Sequence, residues 1–151
     1  MAKFDVSGMD ELLADMKRQG ELAGETADKM LMAAAEEVKE AWRDEATRRD
    51  FHDIGDMIES IGYSRKPKTA GDVRTIDIYP QGKDKKGVRN AEKAFVLHYG
   101  RKGSGNKPRR GKKFSGPGIP ATHWVDSAED NAGPRALAAM ERIWDEHVKG
   151  Q

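Results

Sequence analysis

Between Thr26 and Arg49 apolar side chains recur at helical spacing. Met30, Ala34, Val38, Ala41 and Trp42 form one stripe, and Glu36, Glu37, Lys39 and Glu40 make the opposite face polar. A helix of this length must bury its stripe, because in water most helical stability comes from packing of the amphipathic face. A shorter helix precedes it: Ser7 is a candidate cap, Asp10 and Glu11 suit the positive end of the dipole, and Met9, Leu12, Leu13 and Met16 share a face. Gly20 and Gly24 punctuate the interval. At the other end Leu137, Met140, Trp144 and His147 line one side of a last helix. Gly133-Pro134 either starts that helix or kinks a longer one that Thr122 caps and that holds Trp124, Val125 and Ala128.

The middle of the chain reads differently. Phe51 to Gly55 is a break, followed by a helical turn carrying Met57, Ile58 and Ile61 that Gly62 ends. Two strands are then predicted, Tyr63 to Lys66 and Val73 to Tyr79. In the second, Ile76 and Ile78 alternate with Thr75, Asp77 and Tyr79, and residues 66–72 supply turn chemistry. Residues 91–99 are ambiguous: Phe95, Val96 and Tyr99 suit a strand, whereas Ala91, Ala94, Phe95 and His98 share a helical face. Helix is favoured because Gly100 stands where a left-handed cap belongs. The expected class is α+β: a small antiparallel β-sheet packed against N-terminal and C-terminal helices, in one domain over 1–151, with a long, flexible basic loop over 100–118.

A chain of 151 residues can bury a modest core of its own. With 36% apolar and 35% charged residues, much of it must face water or a partner. There is no 18-residue apolar run to cross a membrane. The opening residues hold no apolar signal core, so a cytosolic start is expected. The absence of cysteine excludes disulfides and thiolate chemistry.

A net charge of +1 hides strong segregation. Residues 1–61 carry 8 Lys/Arg against 16 Asp/Glu, net −8; residues 62–113 carry 16 against 4, net +12; residues 114–151 carry 3 against 6, net −3. The densest stretch is a loop between two apolar anchors. Ala94-Phe95-Val96-Leu97-His98-Tyr99 stops at Gly100, and the chain returns through Gly116-Pro117-Gly118-Ile119-Pro120 to Trp124-Val125. Between them Arg101, Lys102, Lys107, Arg109, Arg110, Lys112 and Lys113 occur without an acid. Sorting of this kind acts on association more than on fold. It suits a head-to-tail contact in which acidic helices of one copy meet the basic loop of the next and close a ring.

Enzymatic constellations are missing from the sequence. The Gly100-to-Gly105 stretch resembles a phosphate loop only in its glycines, with no strand–helix context. No two of His52, His98, His123 and His147 are three or four apart, so neither a metal site nor a cofactor is expected, and no catalytic residue is assigned. Nucleic-acid binding is the rival reading. The basic loop, with Lys83, Lys85, Lys86 and Arg89, can neutralise phosphates, yet Phe114 alone interleaves an aromatic and no base-reading motif accompanies it. That leaves non-specific contact with DNA, in which the chain would be an accessory protein.

Three stretches carry a family resemblance: Ile54-Gly55-Asp56-Met57-Ile58-Glu59-Ser60-Ile61, Ala94 to Arg101, and Pro120-Ala121-Thr122-His123-Trp124. In this order, between an N-terminal helix pair and a C-terminal helix, they resemble the minor tail or tail-completion (head–tail joining) proteins of tailed bacteriophages and prophages. The family motifs read roughly Thr-Gly-x-Leu-x-x-Ser-Ile, Ala-x-x-Val-Glu-Tyr-Gly-Thr and Pro-Ala-x-Pro-Phe. Here Ile54 replaces the first Thr, His98 the Glu, Arg101 the second Thr and His123 the Pro. The resemblance implies a non-catalytic virion protein, assembled in the host cytoplasm into a ring of six copies at the head-proximal end of the tail or in the neck. Its partners would be itself, the tail-tube proteins and the head-closure proteins, with phage DNA passing close by and no membrane involved. Gly55 and Gly100 would serve turns, and Met57, Ile61 and Trp124 would serve packing. Arg101, Lys102, Lys107, Arg109, Arg110, Lys112, Lys113 and Phe114 would form an assembly arm hinged at Gly100 and Pro120.

Overall fold

The stripe on the long central helix is covered by a second helix of nearly equal length. The computed structural model describes residues 9–18, 24–51, 53–71, 73–103 and 117–150. In chain order the elements are α1 (Met9–Arg18), α2 (Gly24–Arg48), α3 (Gly55–Ser60), β1 (Ile61–Tyr63), β2 (Lys68–Ala70), β3 (Val73–Thr75), β4 (Ile78–Pro80), α4 (Asn90–Tyr99) and α5 (Trp124–Lys149). Helices α2 and α5, each about 37–39 Å long at the standard rise, lie antiparallel. Thr26 meets His147 at 3.1 Å, Glu37 pairs with Arg135 at 2.9 Å, and Arg49 reaches the Thr122 carbonyl and the Ser127 hydroxyl at 3.2 and 3.1 Å.

Alanine dominates the seam: Ala27, Ala34, Ala35, Ala41 and Ala46 from α2, and Ala128, Ala132, Ala136 and Ala139 from α5, are all buried. Small side chains at a helix–helix contact let the two backbones approach closely. At one end Trp124 stands edge-on to Trp42 at 5.5 Å and to Phe51 at 6.5 Å, donating its indole N–H to the Ala94 carbonyl at 3.3 Å. Glu45 is buried at that end between Arg48 and Arg49. Those two guanidiniums hold its carboxyl below the usual carboxylate range, against the opposing effect of burial.

The alternatives at Gly133-Pro134 resolve into one helix: α5 runs through Pro134 without ending. Its proposed cap does not hold. Residue His123 is the N-cap, and the Thr122 hydroxyl bonds Leu97 instead. The Ser7 cap of α1 lies outside the described residues.

The strand reading needs a larger correction. Instead of one pair, two separate two-stranded antiparallel sheets form, β1 with β4 and β2 with β3. The predicted strand 73–79 is shared between them. Its first part pairs back through β2 in the register Lys68↔Thr75, Thr69↔Arg74 and Ala70↔Val73. Its second part pairs with β1, Ile61↔Pro80 through Tyr63↔Ile78, extended by the Ser64 N–H to the Asp77 carbonyl. Strand β2 lies in the stretch read as turn, with all three residues exposed, so no apolar alternation announces it. The turn contracts to residues 71–72, and Gly71 has a φ of +60°, which suits glycine. Residues Ile61 and Gly62 belong to β1 rather than to the preceding helical turn.

Polar contacts dock these strands on α2. The Arg43 guanidinium donates to the Ile61 carbonyl at 2.9 Å, the Tyr63 hydroxyl donates to Glu36 at 2.9 Å, and Arg74 pairs with Asp28. Met57, Ile61 and Trp124 are each 1% exposed or less, which places the motif residues in the core. The ambiguous 91–99 run is helical, as α4, with Ala94 and His98 inward. Among the described residues no helix is long and apolar enough to cross a membrane.

Candidate assembly surface

The last four carbonyls of any helix lack intrahelical partners, and at α4 the chain returning from the basic loop supplies partners for two of them, Leu97 and His98. The Thr122 N–H donates to the Leu97 and His98 carbonyls, both at 3.2 Å, its hydroxyl donates to the Leu97 carbonyl at 2.6 Å, and the His123 N–H donates to the His98 carbonyl at 3.1 Å. Residue Gly100 ends α4 with φ +76°, its N–H on the Val96 carbonyl at 2.8 Å. A Cβ there would stand 2.6 Å from the Ala121 nitrogen and 2.7 Å from the Ile119 oxygen, so glycine is required for two reasons. One residue on, Arg101 and Ile119 exchange both backbone hydrogen bonds, each 2.7 Å, as an isolated antiparallel bridge. The loop is therefore closed at its neck, and its base is fixed to α4 and α5.

The predicted assembly residues divide at that neck. Both Arg101 and Lys102 are exposed beside it. Residues Lys107, Arg109, Arg110, Lys112, Lys113 and Phe114 lie outside the described residues. The proposed hinges Gly100 and Pro120 flank the bridge. Part of the neighbouring positive charge is used within the chain, since Lys86 pairs with Asp53 at 2.6 Å and Lys93 with Asp84.

Beside the neck an open groove of about 580 Å³ runs between α4, β4 and the start of α5, with Phe95, Tyr99, Tyr79, Val125 and Glu129 in its wall. Phe95 and Tyr99 are 61% and 60% exposed, with ring centroids 4.7 Å apart. Burial, then the charges of Asp126 and Asp130, pushes the Glu129 carboxyl above its ordinary range. Large exposed aromatics against a polar rim are an anatomy that protein partners use.

The same end of the molecule gathers a cluster that sequence spacing missed. Residues His98, His123 and Asp126 bring one potential ligand atom each within 4.8 Å of one another. His98 Nε2 is 3.7 Å from Asp126 Oδ1, His123 Nδ1 is 3.5 Å from Asp126 Oδ2, and the imidazole centroids are 5.1 Å apart. His98 is buried, and desolvation pulls its pKa down, outweighing the pull of Asp126 in the other direction. The His123–Asp126 spacing was legible as one helical turn. The approach of His98, across the closed loop, was not.

No protein-family model matches this chain, and neither a curated protein nor a solved structure is detectably similar to it. The site therefore stands on its own geometry.

Proposed function

We propose that this chain is a structural virion protein of a tailed phage or prophage. It forms a ring at the head-proximal end of the tail or in the neck, and it joins tail to head through the basic loop. The observation that carries the reading is the closed neck. The reciprocal Arg101–Ile119 bonds hold the two ends of the strongly cationic segment 102–118 against the helical body. The exposed Phe95–Tyr99 pair beside it offers apolar contact area to a neighbouring subunit. Sequence resemblance at Ile54–Ile61, Ala94–Arg101 and Pro120–Trp124 supplies the phage context, and segregated charge supplies the head-to-tail logic.

The test is charge reversal in the genome that carries the gene. Replacing Arg101, Lys102, Lys107, Arg109, Arg110, Lys112 and Lys113 with Glu should abolish particle formation and infectivity while leaving the purified chain folded by circular dichroism. Unchanged particle yield overturns the assembly role. A gene remote from portal, capsid and tail-tube genes overturns the phage reading. A monomer that binds duplex DNA with a steep salt dependence replaces both with non-specific DNA binding.

A further inference from the structure

We infer that His98, His123 and Asp126 form a binding site for one divalent transition-metal ion of the zinc class, which clamps the end of α4 to the start of α5 at the neck of the basic loop. Three features carry this. The donor set, two imidazoles and one carboxylate, is one that zinc and its neighbours favour, with water completing a tetrahedron. The geometry is near that of a filled site. Two ligand atoms each about 2.1 Å from a shared ion, at tetrahedral angles, stand about 3.4 Å apart; here one ligand atom from each residue lies within 4.8 Å of the others, and the Asp126 carboxylate spans the pair, with Oδ2 3.5 Å from His123 Nδ1 and Oδ1 3.7 Å from His98 Nε2. Rotation of the exposed side chains can close the remaining gap. The His123 side chain is 60% exposed and that of Asp126 is 64% exposed, so both can turn toward an ion held by the buried His98.

The backbone supplies the third feature. Residue His123 holds a left-handed conformation, φ 49° and ψ 35°, uncommon for a residue with a side chain. Its N–H is fixed on the His98 carbonyl, so the bond that anchors the turn runs between the two histidine positions themselves. Ligation through His98 Nε2 places the imidazole proton on Nδ1 and gives up that atom's acceptance of the Val125 N–H, a long 3.4 Å bond. A metal–imidazole bond outweighs the loss of one weak hydrogen bond of this length.

The site joins residues on either side of the loop, so binding should tighten the neck whatever the loop contacts; the inference does not rest on the assembly role. The test uses the full chain, freed of metal with a chelator, titrated with Zn²⁺ by calorimetry and with Co²⁺ by visible absorption. One ion per chain should bind, with d–d bands of tetrahedral intensity for Co²⁺ and a dissociation constant below about 10 µM. Bound Zn²⁺ should raise the melting temperature by several degrees at about 100 times that constant. The variant His123→Asn suits the left-handed N-cap position and should fold as well as the parent. It and Asp126→Asn should each weaken binding at least about tenfold, whereas His147→Gln should leave it unchanged. Absence of saturable binding below about 100 µM overturns the site. So does a parent-like affinity in His123→Asn, which would assign the ion to other residues.

Discussion

Gly100 carries two constraints at once, a left-handed φ and backbone atoms closer than any Cβ tolerates. Its replacement by alanine should cost about 1–3 kcal/mol, measured by urea unfolding, and should weaken hydrogen-exchange protection of the Arg101 and Ile119 amides more than that of the α2 core. Glu45 is the counterpart among charged residues. Its carboxylate, 4% exposed, accepts from Arg48 and Arg49, and Arg49 in turn ties the end of α2 to Thr122 and Ser127. Changing Glu45 to Gln should destabilise the fold by about 1.5–3 kcal/mol near neutral pH. The pH dependence has a definite sign. Because the folded carboxyl titrates below its ordinary value of 4.5, its contribution is complete above that value and is lost as pH falls through the lower, folded one. The difference between parent and variant should therefore shrink on acidification from pH 6 toward pH 3.

At the scale of elements the α2–α5 seam is alanine-tight, so it should resist added volume. Changing Ala132 or Ala136 to Leu should cost about 1–3 kcal/mol or more through overpacking, read from thermal unfolding. The opposite holds on the outer face of α5. Pro134 is exposed in the helix interior, where it removes a backbone donor, so Pro134→Ala should stabilise by about 1–3 kcal/mol. The long helices were legible because their apolar stripes repeat over several turns. The sheets were legible only as β-structure. Strand β2 exposes all its side chains, and the predicted strand 73–79, whose apolar alternation covers only 75–79, is divided between two partners, which no local pattern announces. Thr122 does not cap the helix that follows it, whose N-cap is His123. The Thr122 side chain serves the carbonyl end of α4, a partner 25 positions back in sequence.

For the whole molecule, charge sorting sets the expectations for association. If the basic loop meets acidic helices of a neighbouring copy, the oligomer should dissociate as ionic strength rises from about 0.05 to 0.5 M, because exposed charges are screened within about 10 Å or less. Light scattering on the purified chain across that range reads this directly. Helix α5 is joined to the rest of the protein by the covalent path through residues 102–118, by the hydrogen bonds at the neck to Arg101 and α4, and by the buried seam along α2. The covalent path is therefore dispensable once the fold has formed. A chain severed between Arg110 and Gly111 should persist as a two-fragment complex. The pieces 1–110 and 111–151, produced separately, should reconstitute one another when mixed.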